Sequence, residues 1–383
     1  MRTPESVVNR LARGLAAGVA AVGLGVGLVA CGGEGATPIH GRFASTGDGA
    51  PVRHLVLWGT DAEIGRAEGK LLRDEIRREA SRPLPDTLAP ALEGYARAMK
   101  PLAPASLLVE LEAMATEAGV SADALFLAEA ARDGLRWHEV EGAPRAAAFA
   151  SAPGPEPDVV VALAGADLDA AGLVIVERHP TGRPATLVLG RAGEVGAIGG
   201  VTDGGLVVTG AEIFMPAERR TLKAPPFSWS VRTALERGTT ADDAVGRIAA
   251  LCGHRVLVAD HENRRRLTRL SLALEPSSAS DANAWVLSSS GPGSSADPLT
   301  VALDGRLASY ASRPGAAEAV DLALAGRPPD VVGPVVRWGP SGVRILPSVA
   351  SNGISAGVAG FDYGWAAGAA GADRVAGGTP VPR

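Results

Sequence analysis

The chain has 383 residues, 46% hydrophobic and 21% charged, with a formal net charge of −5. That is enough for one large domain or two modest ones, and the ordinary globular balance excludes wholesale disorder. Nothing in the charge favours a nucleic-acid partner, and two cysteines exclude a disulfide framework or a four-cysteine zinc site. No HExxH pair occurs, so no metal or cofactor is expected.

Arg2, Arg10 and Arg13 precede an apolar run, Leu15–Ala30, interrupted by glycines at 18, 23, 25 and 27. A charged stretch before a run shorter than about 18 residues is the pattern of a secretory signal, not of a membrane span. The run ends Leu28-Val29-Ala30-Cys31-Gly32, which resembles a bacterial lipobox. The resemblance implies cleavage before Cys31 and lipidation of its thiol, with the membrane as partner through that anchor. Gly32, in place of an aspartate, points to the outer membrane if the organism has one. Residues 32–51, rich in Gly, Ala, Ser and Thr, read as a flexible tether.

Val52–Trp58 alternates as a strand, and Thr60 with Glu63 has capping-box spacing for the helix that follows. Ile64, Ala67, Leu71, Leu72 and Ile76 share one face, with the charges mostly opposite. Gly65 and Gly69 form a stripe without side chains, where another backbone can approach. Further helices are predicted at Asp86–Met99, Ala105–Ala118 and Ser121–Arg136, with Gly119 ending the second and Ser121 capping the third.

From Asp158 the period changes to strands: Val159–Leu163, Leu173–Glu177, Ala185–Leu189, Gly196–Thr202 and Leu206–Thr209. One helix is predicted over Ser228–Leu251, stopped by Gly253. Strands resume at Arg255–Ala259, Leu267–Ala273, Ala284–Ser288, Val335–Trp338 and Val343–Leu346, the Ser-rich stretch 277–298 otherwise reading as loops. Residues 366–383, with the fraying beginning near Gly364, read as a disordered tail. Strand clusters alternating with helix pairs predict an α+β fold of two packed sheets covered by helices. No repeated βαβ run is present from which a two-lobed solute-binding protein could be built.

Several segments together resemble the acyl-coenzyme A:6-aminopenicillanate acyltransferase family of N-terminal-nucleophile (Ntn) hydrolases, relatives of penicillin V acylases and bile-salt hydrolases. They are Trp58-Gly59-Thr60 with Glu63-Ile64-Gly65-Arg66, Leu111–Val120, Ala146–Ala150, Gly165–Asp169, Gly200–Leu206, Pro226–Glu236 with Ala244-Val245, and Val256–Asp260. The resemblance covers residues 53–365. It implies an αββα sandwich in which 52–137 is a helical segment and 145–365 the sandwich.

Ntn chemistry needs a Cys, Ser or Thr that is nucleophile and, through its freed α-amine, its own base. Ala146 stands at that position and offers only a methyl group. Ala166 replaces the family's arginine, and Thr202 the asparagine that holds the oxyanion, a loss that costs ~10²–10³ in rate. Asp169, where the family keeps the residue that orients the nucleophile's amine, is retained, and its residues alone read equally as a polar strand-end turn. Arg232 corresponds to the family's arginine or, in the favoured reading of its residues alone, is a helix-surface charge. The candidates for a relocated nucleophile are Ser151, which has no evident base nearby, and Cys252, two residues from His254; packing is the favoured account of the cysteine. His261-Glu262 beside Asp260 reads as turn polarity and not as a metal site. The sequence therefore predicts a lipid-anchored envelope protein of Ntn-hydrolase fold that has lost catalysis and binds an acylated small molecule or serves as a scaffold. The alternative is an active amide hydrolase or acyltransferase on N-acylated small molecules.

Overall fold

The structure is a computed structural model that describes residues 39–45, 50, 52–137, 148–152, 158–162, 172–212, 224–248, 254–260, 265–270, 278–280, 286–289, 335–346 and 361–366. Strands β1 (Gly41–Phe43) and β2 (Arg53–Gly59) lead into helices α1 (Asp61–Leu71), α2 (Arg73–Ala80), α3 (Ala89–Met99), α4 (Ala105–Ala118) and α5 (Ala122–Trp137). Then come β3 (Ala148–Ala152), β4 (Asp158–Ala162), β5 (Leu173–Pro180), β6 (Thr186–Arg191), β7 (Gly199–Thr202) and β8 (Val207–Glu212). Helices α6 (Phe227–Arg237) and α7 (Ala241–Arg247) precede β9 (His254–Ala259), β10 (Arg265–Leu270), β11 (Ser278–Ser280) and β12 (Val286–Ser289). Strands β13 (Val335–Gly339), β14 (Gly342–Leu346) and β15 (Phe361–Gly364) close the order.

Two sheets result. One has nine strands ordered β1-β2-β5-β6-β7-β8-β9-β10-β11, antiparallel except for the β2–β5 pair; the other has six, β12-β3-β4-β13-β14-β15. The side-chain period of two divides each central strand between two cores. Val174, Val176, Val188, Val208, Val256 and Val258 face the helices, packing with Ile64, Leu111, Met114, Phe126, Trp229 and Leu235. Their neighbours Leu173, Ile175, Leu187, Leu189, Val201, Val207 and Leu257 face the second sheet, against Val336, Trp338, Val343, Ile345 and Tyr363. Strands buried on both faces lose the apolar–polar alternation, which is why 173–176 in β5 and 187–189 in β6 read as continuous apolar runs. The described residues thus build an α+β sandwich with a helix layer, a large sheet and a second sheet.

The α1–α4 contact shows why the glycine stripe exists. A β-carbon added to Gly65 would lie 2.2 Å from the carbonyl oxygen of Glu110, and one on Gly69 2.5 Å from that of Met114. No side chain fits there, so the helices cross at backbone distance. The capping box at Thr60 and Glu63 is formed, and Gly119 ends α4 in the left-handed region (φ 74°).

Several expectations are corrected. Gly41–Phe43 is an edge strand paired with β2, within the stretch expected to be a tether. The first helix breaks at Leu72 into α1 and α2, and the next starts at Ala89 behind a turn over 85–88. The helix expected over 228–251 is two helices. Gly238 ends α6 in an extended conformation (ψ 139°) at a place where a β-carbon would meet the Ala234 carbonyl oxygen at 2.4 Å, and the Thr240 hydroxyl caps α7 by accepting from Asp243 N–H. Ser278–Ser280 pairs with β10 where loops are expected. Phe361–Gly364 is a strand, and Trp365 and Ala366 are hydrogen-bonded where a frayed tail is expected. Cys31, Gly253 and residues 367–383 lie outside the described residues.

Candidate functional site

Ala146, Ala166, Asp169, Cys252, His261 and Glu262 lie outside the described residues. Ser151 is in β3, between Val159 of β4 and Val286 of β12. His254 opens β9, opposite Leu270. Thr202 and Arg232 are described in full, and both are committed to the fold.

Thr202 ends β7 and is buried. Its Oγ1 accepts from Leu206 N–H at 3.1 Å, its N–H donates to Leu206 O, and its carbonyl accepts from Gly205 N–H. The hydroxyl closes the turn Asp203-Gly204-Gly205, where Gly205 has φ 81°. Alternation from Val201, which faces the second sheet, puts Thr202 on the helix-facing side of the large sheet.

Arg232 is not a surface charge: its side chain is 0% exposed. Position 232 on α6 lies between Val231 and Ala234, which turn their side chains into the helix-side core, so the guanidinium has no route to water. Its Nη1 and Nη2 donate to Glu110 of α4 at 3.2 and 2.8 Å, Nε to Glu236 at 2.5 Å, and Nη1 to the Val195 carbonyl at 2.6 Å. Glu110 also accepts from Arg178 Nε of β5 at 3.3 Å, and Arg178 Nη2 donates to Glu68 of α1 at 3.0 Å. Glu236 continues the chain to Arg183 at 2.6 Å, and Arg183 reaches Asp61. One network of alternating charges thus ties α1, α4, α6 and β5 together beneath the large sheet.

The electrostatics follow from burial and pairing. Burial disfavours the charge on Arg232, but Glu110 and Glu236 outweigh it and hold the guanidinium protonated more firmly than usual. Burial likewise works against ionised Glu110, yet Arg232 and Arg178 keep its carboxyl below the ordinary range. Glu68 is the exception. Burial, helped by the negative charge of Glu110, pushes it up to about 7 against the pull of Arg178. Its Oε1 and the Nη1 of Arg178 have no hydrogen-bond partner among the described residues, which fits a carboxyl that carries a proton near neutrality.

Sequence reasoning missed this network. The signal was present: Glu110 interrupts the apolar stripe Leu107, Leu111, Met114, and Glu68 falls beside Gly69 on the buried face of α1. A charge inside an apolar stripe requires a buried partner, but the partners come from distant elements.

A second buried carboxyl, Glu129 of α5, accepts from Gly196 N–H at 3.0 Å, Val195 N–H at 3.3 Å and Ser228 Oγ at 2.6 Å. Burial and the charge of Glu194 raise it to about 8. A β-carbon on Gly196 would lie 2.3 Å from Glu129 Oε1, so glycine is required for this docking of α5. Among the described residues no group of three His, Cys, Asp or Glu is arranged to hold a metal ion, and no helix is long and apolar enough to cross a membrane.

No family model matches the chain, and no curated protein matches it. Among solved structures, it is similar to a Caenorhabditis elegans ortholog of N-acylethanolamine-hydrolyzing acid amidase. Identity is 13% and the TM-score 0.39, over 50% of this chain and 92% of that one. At those values the similarity assigns this chain neither a fold nor an activity.

Proposed function

We propose that this chain is a lipid-anchored envelope protein with an Ntn-hydrolase-type sandwich that has lost amide-bond catalysis and keeps a binding or scaffold role. The observation that carries the proposal is Ala146. A methyl group can neither attack an amide nor drive the acyl shift that exposes a new N-terminus. Two structural features support it. Thr202 closes a turn on the helix side of the large sheet, and the donors of Arg232 are taken by Glu110, Glu236 and Val195. Both side chains are held by the fold, Thr202 Oγ1 as an acceptor from Leu206 N–H and Arg232 by its carboxylate and carbonyl partners.

The anchor and the export route rest on Cys31 and its flanks, and the ligand class, an acylated small molecule, on the resemblance of the sequence motifs. The test is the intact mass of the full-length chain recovered from membranes. A single polypeptide carrying acyl mass at Cys31 is expected. Two fragments cut near Arg145 would overturn the proposal and support an active amide hydrolase. In the uncut chain, cleavage restored by Ala146→Cys would show that the remainder of the processing site is still assembled.

A further inference from the structure

On the opposite face of the large sheet from the arginine network, three titratable side chains meet at one edge of the sandwich. Glu177 of β5 is fully buried, His54 of β2 is 4% exposed and His179 of β5 is 17% exposed. The Glu177 carboxylate takes His179 Nε2 on Oε1 at 2.7 Å and the backbone N–H of Ala366 on Oε2 at 2.8 Å. His54 Nε2 stands 3.3 Å from the same Oε2, off line for a hydrogen bond and close enough for an ion pair. Ala366 follows β15, the edge strand of the second sheet, so this carboxylate joins the two sheets. Tyr363 adds a second link, its hydroxyl accepting from Val52 N–H at 3.2 Å, and Trp365 Nε1 donates to the Pro340 carbonyl at 3.0 Å.

We propose that His54, Glu177 and His179 form an acid-opened clasp that holds the β15 end of the second sheet against β2 and β5. With one imidazole protonated, the buried carboxylate and the imidazolium balance. With both protonated, one positive charge is left over beside the buried His54, and an unbalanced buried charge is strongly destabilising. Imidazole is the side chain that changes charge in the mildly acid range.

Among the described residues, the other groups near the clasp do not cancel that charge. From β15, Tyr363 contributes a neutral hydroxyl, raised above its ordinary range by burial. Alternation turns Arg337, Arg344 and Asp362 to the far face of the second sheet, where Arg344 and Asp362 pair. Arg178 and Arg53 point to the helix side, the first to Glu68 and Glu110, the second to Glu75. His40 pairs with Glu63 beyond the end of β2. Glu177 itself stays ionised across the range: burial works against it, but His179, His54 and the Ala366 N–H hold its carboxyl down to about 2.

The test is amide hydrogen exchange at Trp365 and Ala366 in the full-length chain, corrected for intrinsic rate, from about pH 7.5 to about pH 5. Protection is expected to fall about tenfold or more across that range, an unbalanced buried charge being strongly destabilising. The double variant His54→Gln/His179→Gln should flatten the response. The single change His179→Asn at the partly exposed member should do the same, since Glu177 balances the one remaining imidazolium. Protection independent of pH, protection that rises on acidification, or a loss shared equally by β13 and β14 would overturn the proposal.

Discussion

Replacing Arg232 with leucine removes the centre of the buried network at nearly constant volume. Glu110 then loses its bidentate partner and keeps only the 3.3 Å contact with Arg178, while Glu236 keeps Arg183. The Val195 carbonyl loses its donor as well. Breaking a buried pair from one side costs about 3–5 kcal/mol, because the abandoned carboxylates remain in a medium that cannot solvate them. At ~2.1 cal/mol/K per residue, a domain of more than about 300 residues shifts by roughly 1.5 °C per kcal/mol, so the melting temperature should fall by about 5–8 °C. Urea titration followed by tryptophan fluorescence reads the free energy directly, since Trp229 lies on the same helix as Arg232. The deficit should shrink as pH falls toward 4, because an unpaired Glu110 takes up a proton, and it should change little with salt, since buried pairs are poorly screened. Arg232→Lys should lie between, keeping the charge and losing the two-pronged geometry. A loss for Arg232→Leu below about 1 kcal/mol, or one abolished by salt, is what an exposed ion pair gives and would refute the account of the network.

Gly65→Ala places a β-carbon 2.2 Å from the Glu110 carbonyl oxygen. Separating α1 from α4 there should cost about 1–3 kcal/mol or more, whereas Gly94→Ala, where a β-carbon meets nothing, should be neutral or stabilising in chemical denaturation. Glu68 makes the fold pH-dependent with a definite sign. Its folded carboxyl at about 7 lies above the ordinary 4.5, so the folded state binds the proton more tightly. The stability it contributes is full below pH 4.5 and is lost as pH rises from 4.5 through 7. The difference between wild type and Glu68→Gln in urea titrations should therefore narrow or reverse across that window, by a few kcal/mol at most; a difference constant with pH would show that Glu68 is ionised throughout.

The sequence by itself determined the local layer of this protein. Thr60 with Glu63, Gly119 and the stripe of Gly65 and Gly69 each act within one or two turns of chain, and the helix start, the helix stop and the close crossing all formed where those residues placed them. The change of period after Asp158 likewise carried the two-sheet architecture, because burial on both faces leaves short apolar runs. Residues in the middle of a plausible pattern were less legible. Gly238 and Thr240 split one expected helix into two, and Gly41–Phe43 paired with β2 despite a composition suited to a tether. A strand gains its stability from the partner edge, and that edge is distant in sequence.

Tertiary structure alone decided where the charges went. Arg232 reads as a surface residue until Glu110, 122 positions away, is brought beneath the large sheet to meet it. Glu177 and Ala366 are 189 positions apart and meet because β15 is the edge strand laid over β2 and β5. Propensity and periodicity report what each residue does to its neighbours along the chain. The cost of burying a charge is fixed by which opposite charge the fold delivers, and that depends on the packing of whole layers.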